Sequence, residues 1–473
     1  MTIKYVCISD MHFGADNSVL TNLSGNCVCA DPTQPSDVLN NLVNCLRVLL
    51  AENEAGCRPQ LILNGDIFEF ALATDNYAGM AFQRFLELAM PADPGQRIFD
   101  DEIFYIPGNH DHHLWEGARE IQYADYITRH PKLRLPVPWH ETKLDRMGPI
   151  PSPFVQAIID TCAGSSGVRA NVRYPNMILR NGSVARSIVF SHGHFTEPIY
   201  YLMTTLSHLL FPTGNKPQPA WIWETENFAW IDFFWSTMGR SGFVGQDIGL
   251  LYEMMQDPKV FGGFVGQAAE TLAKQRASWP VAKLFGWFVR RLATQRLERG
   301  ASDQELSDDG KGVRGYIGAA VFRQLEDELK AALSDDIVFV FGHTHKPFQK
   351  EMIVDFPDPR PMRLYNSGGW VVDRTKPGSL YGGAVILIND ELDVASLRMY
   401  TEHEHKSDYR VEVQAVGRDC TTPFFQQIRA KVDSAADRSP WKDFSDSVAE
   451  AVIVRTDKIK NDIVASRSRR GSR

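Results

Sequence analysis

The segment IKYVCISDMH, residues 3–12, decides the fold of this chain, because it joins a short apolar run to a polar turn. The pattern returns later, each time as a predicted buried strand that stops at a polar, glycine-containing turn: LILNGD (61–66), EIFYIPGNHD (102–111), SIVFSHGH (187–194) and IVFVFGHTH (337–345). Apolar residues at helical spacing over 38–54 predict a helix between the first two strands. Strands that alternate with helices indicate an α/β layered fold, in which ligands collect at the carboxyl ends of strands.

Composition restricts the class of protein. Of the 473 residues, 44% are hydrophobic and 23% are charged, which excludes a wholly disordered chain and predicts two or three domains or one large domain with insertions. The net charge of −8 argues against nucleic-acid binding driven by the charge of the whole protein, although a small basic patch is compatible with it. Because there is no apolar run of roughly 18 residues, no signal-like start and no framework spacing of the seven cysteines, we expect a soluble, cytoplasmic protein with reduced thiols.

The character of the sequence changes in its middle. Six of the ten tryptophans fall within residues 195–315, which we interpret as a large, mostly helical insertion. It separates a first core part, residues 1–194, from a second core part, residues 316–410, and a helical extension, residues 411–473, follows with a basic, disordered end. The aromatic insertion has two interpretations. It is either a cap over the functional site or a region that buries its aromatic side chains in its own core.

Side chains that can bind metals gather in the turns that follow the predicted strands. A lone histidine near a strand end is more often structural, but these turns together supply carboxylates, an amide oxygen and imidazoles. Such donors suit borderline divalent ions such as Mn, Fe, Zn or Co, and the lack of thiolates argues against a structural zinc clip. Asp10 and His12 are two residues apart, as are His343 and His345. In extended backbone, residues i and i+2 point to one face, so each pair is predicted to converge on one point.

The order of these turns resembles the signature of the calcineurin-like metallophosphoesterase superfamily, which reads Asp-x-His, Gly-Asp, Gly-Asn-His-Asp/Glu, His-Gly and Gly-His-x-His. Every element is present, and the resemblance covers residues 3–194 and 337–399 but neither the insertion nor the tail. It implies an α/β fold of four layers, an αββα metallophosphoesterase sandwich, into which the large helical insertion is set. It also implies a dinuclear metal centre that hydrolyses phosphoesters.

The resemblance further implies which residues bind two divalent ions, with Mn as the first expectation and Fe, Zn, Co or Ni as alternatives. One ion would be held by Asp10, His12, Asp66 and His345. The second would be held by Asp66, Asn109, His192 and His343, so that Asp66 bridges the pair. His194 remains an alternative ligand, or a group that contacts a ligand or the substrate, because the family pattern favours the histidine directly after the strand.

Next to Asn109, the resemblance implies a histidine that faces the substrate phosphate. His110 can protonate a leaving oxygen, because an unperturbed imidazole has a pKa of about 6.5. Asp111 is predicted to accept a hydrogen bond from the other ring nitrogen of His110 and to fix its orientation. A hydroxide that bridges the metals would attack phosphorus in line, without a covalent enzyme intermediate. Asn366, in the turn NSGGW (366–370), is predicted to close one side of the site and contact substrate, although a plain turn is nearly as compatible.

The implied activity is that of a metal-dependent phosphohydrolase acting on a phosphodiester, a pyrophosphate or a phosphomonoester. Motif detail such as SDMHFG (9–14) and GDIFE (65–69) is similar to the branch containing UDP-2,3-diacylglucosamine pyrophosphatase, although this chain is far longer and carries His110 where that branch typically has arginine. We expect a small phosphorylated substrate and a possible lipid or membrane contact through residues 199–211 and 228–235; nucleic acid is not favoured. Two alternatives stay open, a nuclease with the same chemistry and a non-catalytic scaffold on the same fold.

Overall fold

A computed structural model of the chain describes residues 2–25, 28–54, 56–132, 148–162, 167–181, 186–210, 220–237, 304–329, 335–356 and 358–471, with a few isolated residues between these stretches. The described strands, numbered in chain order, are β1 Ile3–Ile8, β2 Thr21–Leu23, β3 Ala30–Pro35, β4 Gln60–Leu63, β5 Glu102–Tyr105, β6 Arg169–Val172, β7 Asn176–Asn181, β8 Arg186–Ser191, β9 Asp336–Phe341, β10 Pro347–Phe356, β11 Asp358–Ser367, β12 Gly382–Asn389, β13 Val394–Thr401 and β14 Glu412–Gln414.

The described α-helices, numbered in the same way, are α1 Asp37–Leu50, α2 Asp75–Ala89, α3 His113–Arg129, α4 Pro153–Thr161, α5 Leu202–Leu210, α6 Ala220–Ile231, α7 Lys311–Tyr316, α8 Phe322–Leu329, α9 Pro423–Ala435 and α10 Trp441–Gly471. Two π-helical segments, Asp232–Thr237 and Ile317–Val321, continue α6 and α7. Short 3₁₀ turns occupy Pro94–Gln96, His194–Thr196, Pro198–Tyr201, Ser307–Gly310, Lys406–Asp408 and Gly417–Thr421.

The fold is a mixed α/β arrangement, as predicted, with two mixed sheets and a two-stranded ribbon of β2 and β3. The larger sheet has the strand order β14-β13-β12-β1-β4-β5-β6. Strands β1, β4, β5 and β6 are parallel, with Val6 opposite Leu61 and Leu61 opposite Ile103. Helices α1 and α2 lie in the connections between the first three of these strands, because parallel neighbours need long crossovers.

The smaller sheet has the strand order β10-β11-β9-β8-β7, and β8, β9 and β11 are parallel. Because β8 and β9 are adjacent, the turns that follow Ser191 and Phe341 leave the sheet side by side. The backbone N–H of Gly342 donates to the carbonyl oxygen of His192 at 2.9 Å and joins these two turns. The carboxyl ends of neighbouring strands therefore meet at one edge, as the sequence predicts.

Among the described residues, three clusters of buried apolar side chains lie on the faces of the two sheets. One cluster contains residues from both sheets, which therefore face each other: Cys7, Ile62, Ile188, Val338 and Ile386 are among its members. A second lies between the larger sheet and α1, α2, α4, α9 and α10, and a third lies between the smaller sheet and the helices from α6 to α8. Along β9, Val338 belongs to the shared cluster and Phe339 to the third, as alternation in a strand requires.

The local predictions for the strands that precede the ligand turns, and for the first helix, are confirmed with small shifts of boundary. All five predicted strand segments contain strands, namely β1, β4, β5, β8 and β9. The helix predicted over residues 38–54 is α1, which begins after Ser36 because its side chain accepts a hydrogen bond from the N–H of Leu39 at 3.1 Å. It ends at Leu50, four residues earlier than predicted.

The carboxyl-terminal part differs from the predicted boundaries. Strand β14 pairs with β13, so the larger sheet extends past residue 410, where the core was predicted to end. Helices α9 and α10 lie within residues 411–473. The basic end was predicted to be disordered, but α10 continues to Gly471, because no proline or glycine interrupts residues 441–470. Most of the predicted insertion, residues 211–219 and nearly all of 238–303, lies outside the described residues.

The apolar stretches predicted to contact a membrane pack mostly inward where they are described. Ile199, Tyr200 and Trp235 belong to the third core cluster, whereas Phe233 is 55% exposed. This packing favours the interpretation that the aromatic side chains form the core of the region itself. None of the helices in the described stretches has the length and apolar character needed to cross a membrane.

Candidate metal centre

Five of the seven predicted ligands have left-handed backbone. Asp10, His12, Asp66, His343 and His345 have φ between 46° and 68°, a region that costs residues other than glycine roughly 1–2 kcal/mol each. The expectation that extended backbone makes each i, i+2 pair converge is therefore wrong, because both residues of each pair lie in tight turns beyond the strand. Strained backbone of this kind is held in place by the surrounding fold and is typical of functional sites.

Hydrogen bonds between the turns bring the predicted ligands together. The N–H of Asp10 donates to the carbonyl oxygen of Gly65 at 2.8 Å, and the N–H of His12 donates to that of Asp66 at 2.9 Å. The N–H of His343, in the turn that follows β9 of the smaller sheet, donates to Oδ1 of Asp10 at 2.9 Å. Residues separated by more than three hundred positions therefore lie in one buried cluster.

One part of the cluster consists of Asp10, His12 and His345, here called the first half. A ligand atom from each of these residues lies within 4.8 Å of the others. Nε2 of His345 lies 3.4 Å from Oδ1 of Asp10. All three side chains are buried, so the carboxylate and imidazole nitrogens face one another rather than bulk water.

The second half consists of Asn109, His192 and His343. Nε2 of His192 lies 3.2 Å from Oδ1 of Asn109. One ligand atom each from His192, His343 and Asp66 lies within 4.8 Å of the others. The predicted second set of ligands is therefore also assembled in space.

Asp66 lies between the two halves. Its Oδ2 is 3.7 Å from Nε2 of His12 in the first half and 3.2 Å from Nε2 of His192 in the second half. Its Oδ1 accepts a hydrogen bond from the backbone N–H of His110 at 2.7 Å, which fixes the carboxylate plane. One carboxylate oxygen is thus within reach of both imidazoles.

Two motif glycines allow these side chains to approach so closely. Gly65 has φ +86°, and a Cβ there would overlap the ring of His192. A Cβ at Gly342 would overlap the carboxylate of Asp10. The glycines of the Gly-Asp and Gly-His motifs are therefore required by the space that the ligands occupy.

Carboxylates contact Nδ1 of three imidazoles in the cluster. The sequence analysis assigned no role to these carboxylates. The two oxygens of Glu69 lie 2.7 Å from Nδ1 of His12 and 2.8 Å from Nδ1 of His110. Asp373 lies 2.8 Å from Nδ1 of His345. Such carboxylates fix the tautomer and raise the basicity of an imidazole ligand. Glu69 stands in the Gly-Asp turn and could have been found there, whereas no local pattern indicates Asp373.

The role predicted for Asp111 is wrong. Its carboxylate accepts hydrogen bonds from the backbone N–H groups of Ile67 and Gly108, at 2.8 and 2.6 Å, and so joins two of the turns. Nδ1 of His110 faces Glu69 instead. The reason is that the backbone donors of the Gly-Asp turn surround the Asp111 carboxylate, whereas the ring of the preceding residue points away from it. Asp111 therefore positions the turn rather than the histidine.

His194 lies beside the cluster but outside it. Its Nε2 is 3.0 Å from the hydroxyl of Tyr174, and its ring packs against Phe195. Burial, together with the nearby His192 and His343, lowers the pKa of His194 well below its usual range, so the ring is neutral. His192, directly after the strand, is the histidine that faces Asp66.

The side chain of Asn366 stabilises the Gly-His turn through hydrogen bonds to the backbone. Its amide NH₂ donates to the carbonyl oxygen of Gly342 at 2.8 Å, and its amide oxygen accepts from the N–H of Gly368 at 2.8 Å. The side chain is fully buried. These two backbone hydrogen bonds favour the plain turn that was the alternative, and the substrate contact stays a prediction.

The electrostatics of the site favour the ionised forms of Asp66 and Glu69. Burial opposes the ionisation of Asp66, but the nearby His192 and His110 outweigh it and hold its pKa well below the usual range. Burial also opposes protonation of His192, yet Asp66 raises the pKa of that imidazole to about 9. For Glu69 the two histidines that it contacts overcome burial and lower its pKa to about 2. Buried carboxylates of this kind require cationic partners, and a divalent ion can replace the imidazolium proton.

The start of the insertion lies against the second half. Oε1 of Glu197 is 3.3 Å from Nε2 of His343, and the ring centroid of Tyr200 is 5.1 Å from that of His343. Tyr200 in turn packs on Trp235, with centroids 4.6 Å apart. Glu197, a buried carboxylate, is another site residue that sequence reasoning missed.

A scan against protein-family models found no match, and a search of curated proteins found no similar sequence. The donors themselves are imidazoles and carboxylates with one amide oxygen, all buried, and these groups could hold a metal ion. That donor set fits a borderline divalent ion, because it lacks both the thiolates of a structural zinc site and the all-oxygen shell that Mg²⁺ or Ca²⁺ prefers.

Proposed function

We propose that this chain is a metal-dependent phosphohydrolase of the calcineurin-like metallophosphoesterase superfamily, and that its two facing sheets and their helices form that family's four-layer αββα sandwich. The observation that carries the proposal is the position of Asp66, whose Oδ2 lies 3.7 Å from Nε2 of His12 and 3.2 Å from Nε2 of His192. A carboxylate shared in this way suits two divalent ions about 3.5–4 Å apart.

The proposed cofactors are two divalent ions, with Mn as the first candidate and Fe, Zn, Co or Ni as alternatives. When bound, such ions stabilise charge on phosphoryl oxygens and lower the pKa of a coordinated water. The first half would hold one ion, the second half would hold the other, and Asp66 would contact both. The chain's own contribution is a buried, fixed set of donors that need little rearrangement during the reaction.

His110 is the proposed general acid. Its backbone N–H donates to Oδ1 of Asp66, and its Nδ1 faces Oε1 of Glu69 at 2.8 Å. The ring is therefore fixed relative to the shared carboxylate, and Nε2 is the nitrogen assigned to protonate the leaving oxygen. The Glu69 carboxylate can accept a hydrogen bond from Nδ1–H of His110 and so hold the ring in one orientation.

We propose a small phosphorylated substrate, namely a phosphodiester, a pyrophosphate or a phosphomonoester. Glu197 and Tyr200 lie against His343, so the beginning of the insertion limits the space beside the second half. The net charge of −8 disfavours a polyanionic polymer.

The test is hydrolysis by the full chain with Mn²⁺ supplied. Substrates are bis-p-nitrophenyl phosphate, p-nitrophenyl phosphate and a nucleotide-sugar pyrophosphate, each assayed before and after chelation. We expect at least one to be hydrolysed, the activity to disappear on chelation and return with Mn²⁺, and Asp10→Ala to be inactive while the exposed control Asp437→Ala is unaffected. Metal-loaded protein that hydrolyses none of them would support a scaffold, and salt-sensitive cleavage of DNA would support a nuclease.

A further inference from the structure

A second group of potential metal ligands lies outside the centre described above. Nδ1 of His113, Oε2 of Glu116 and Oδ1 of Asp232 all lie within 4.8 Å of one another. We propose that these three residues, here called the helix–insertion site, bind one further borderline divalent cation such as Zn²⁺. The ion would join the start of α3 to the segment Asp232–Thr237 of the insertion.

Local structure brings the three side chains together. His113 is the first residue of α3, and Glu116 follows one helical turn later on the same face, with Nδ1 and Oε2 2.9 Å apart. Asp232 begins the π-helical segment that continues α6. The backbone N–H of His113 donates to Oγ of Ser236 at 2.9 Å, which holds this segment against the first turn of α3.

The spacing suits ligands of a single ion. Nitrogen and oxygen ligands bind Zn²⁺ at about 2.0–2.2 Å, so two ligands of one ion lie about 3–4 Å apart. Oδ1 of Asp232 is 3.6 Å from Nδ1 of His113, which is longer than an ordinary N–H···O hydrogen bond. Within the described part of the chain, this buried oxygen has no hydrogen-bond partner.

His112 supplies a second, independent observation. Its side chain is fully buried, and neither ring nitrogen has a hydrogen-bond partner among the described residues. Nδ1 of His112 lies 3.6 Å from Oδ1 of Asp232, the same oxygen that faces His113. A buried polar group without a hydrogen bond costs about 1–3 kcal/mol, and a cation beside Asp232 would give these groups a common partner.

Exposure and charge also suit a cation. The side chain of His113 is 37% exposed and that of Glu116 is 41% exposed, so an ion could enter and keep water ligands. Burial opposes the ionisation of Asp232, but the two adjacent imidazoles outweigh it and hold its pKa below the usual range. One imidazole with two carboxylates is a donor set that borderline ions accept. Without an ion, the group would be a partly exposed ion pair, which contributes little to stability.

The proposal is tested by counting the Zn²⁺ ions that the full chain retains at equilibrium. His113→Ala and Asp232→Asn are each compared with His130→Ala, a control at the residue that directly follows α3. We expect both variants to retain one ion fewer than the wild type and the control. Hydrogen exchange of residues 112–116 and 232–237 should also slow when Zn²⁺ is added to the wild type but not to His113→Ala. Equal ion counts in the variants and the control would overturn the proposal, as would exchange that does not respond to Zn²⁺.

The same measurement in an Asp66→Ala background separates this site from the proposed catalytic centre. Asp66→Ala disrupts the centre but leaves the helix–insertion site intact, so adding His113→Ala should still remove one ion. If no ion depends on Asp66 but one depends on His113, the proposed function fails and this inference stands. If ions depend on Asp66 and none depends on His113, the inference fails and the proposed function stands.

Discussion

The two halves of the ligand cluster offer similar atoms to a metal ion, but they differ in the groups that contact Nδ1 of their histidines. In the first half, Nδ1 of His12 and of His345 each face a carboxylate, at 2.7 and 2.8 Å. In the second half, Nδ1 of His192 faces the backbone carbonyl oxygen of Asn64 at 3.1 Å. A carboxylate partner raises the basicity of an imidazole more than a neutral carbonyl does. The first half should therefore hold its ion more tightly, although both halves share Asp66.

The largest effect is expected when the residue common to both halves is removed. Asp66→Ala should lose tight binding of both ions of the centre and reduce hydrolysis to the level of metal-free protein, because each half depends on this carboxylate. Metal content after dialysis, measured together with hydrolysis of bis-p-nitrophenyl phosphate, checks this. Asp437→Ala, an exposed control, should keep both properties. Retention of both ions by Asp66→Ala would show that the halves do not share a ligand.

Removal of His110 should affect chemistry without affecting either half. His110→Ala should retain the metals and slow hydrolysis by roughly 10²–10⁴-fold when the leaving group is poor, because the general acid is lost. With a p-nitrophenyl leaving group, which needs little protonation, the loss should be much smaller. Rates for a series of aryl diesters measure this difference, with the exposed His405→Ala as control. An equal loss across the series would remove the acid role.

The distance along the chain between two residues in contact also decides whether the sequence can predict that contact. The strand ends and the turns follow from the sequence pattern, because parallel strands place their carboxyl ends at one edge. The seven proposed ligands are those that the resemblance of these motifs to a known family implies. Asp373 could not be predicted, since it reaches His345 from 28 residues away through the fold. The left-handed backbone at Asp10 and His12 was also missed, because the sequence shows their spacing but not the turn that follows the strand.

Adjacency in the chain was misleading in one case. Asp111 follows His110 directly and therefore was predicted to orient it, but the tight turn points the two side chains in different directions. Asp111 binds backbone donors of the Gly-Asp turn, and Glu69 contacts the ring instead. The α/β class followed from the strand and helix pattern, whereas the order of strands in the two mixed sheets did not. The boundary at residue 410 did not, because β14 is too short to give a periodic signal.

A variant at Glu69 sharpens the comparison, because this carboxylate serves both a metal-facing histidine and the proposed acid. Glu69→Gln should weaken metal binding in the first half by about 10–100-fold, as loss of a carboxylate behind an imidazole commonly does. It should also reduce the rate with poor leaving groups beyond what added Mn²⁺ restores, since His110 loses the same partner. Metal titrations and rates at saturating Mn²⁺ separate the two effects. Full rescue by Mn²⁺ would contradict the second role.

The smallest effect is expected at Asp373, which contacts His345 but not His110. Asp373→Asn should weaken metal binding in the first half by about tenfold, at the low end for such partners, because the Asp373 side chain is 24% exposed and water can partly replace it. Saturating Mn²⁺ should restore activity with every leaving group. A loss with poor leaving groups that persists at saturating Mn²⁺ would show that the two carboxylates are not functionally distinct.

The most direct test of the shared carboxylate is anomalous diffraction at the manganese edge from crystals of the full chain grown with Mn²⁺. The account predicts two strong peaks about 3.5–4 Å apart on either side of Oδ2 of Asp66, one beside His345 and the other beside His192. A single peak in this region, or none, would contradict it.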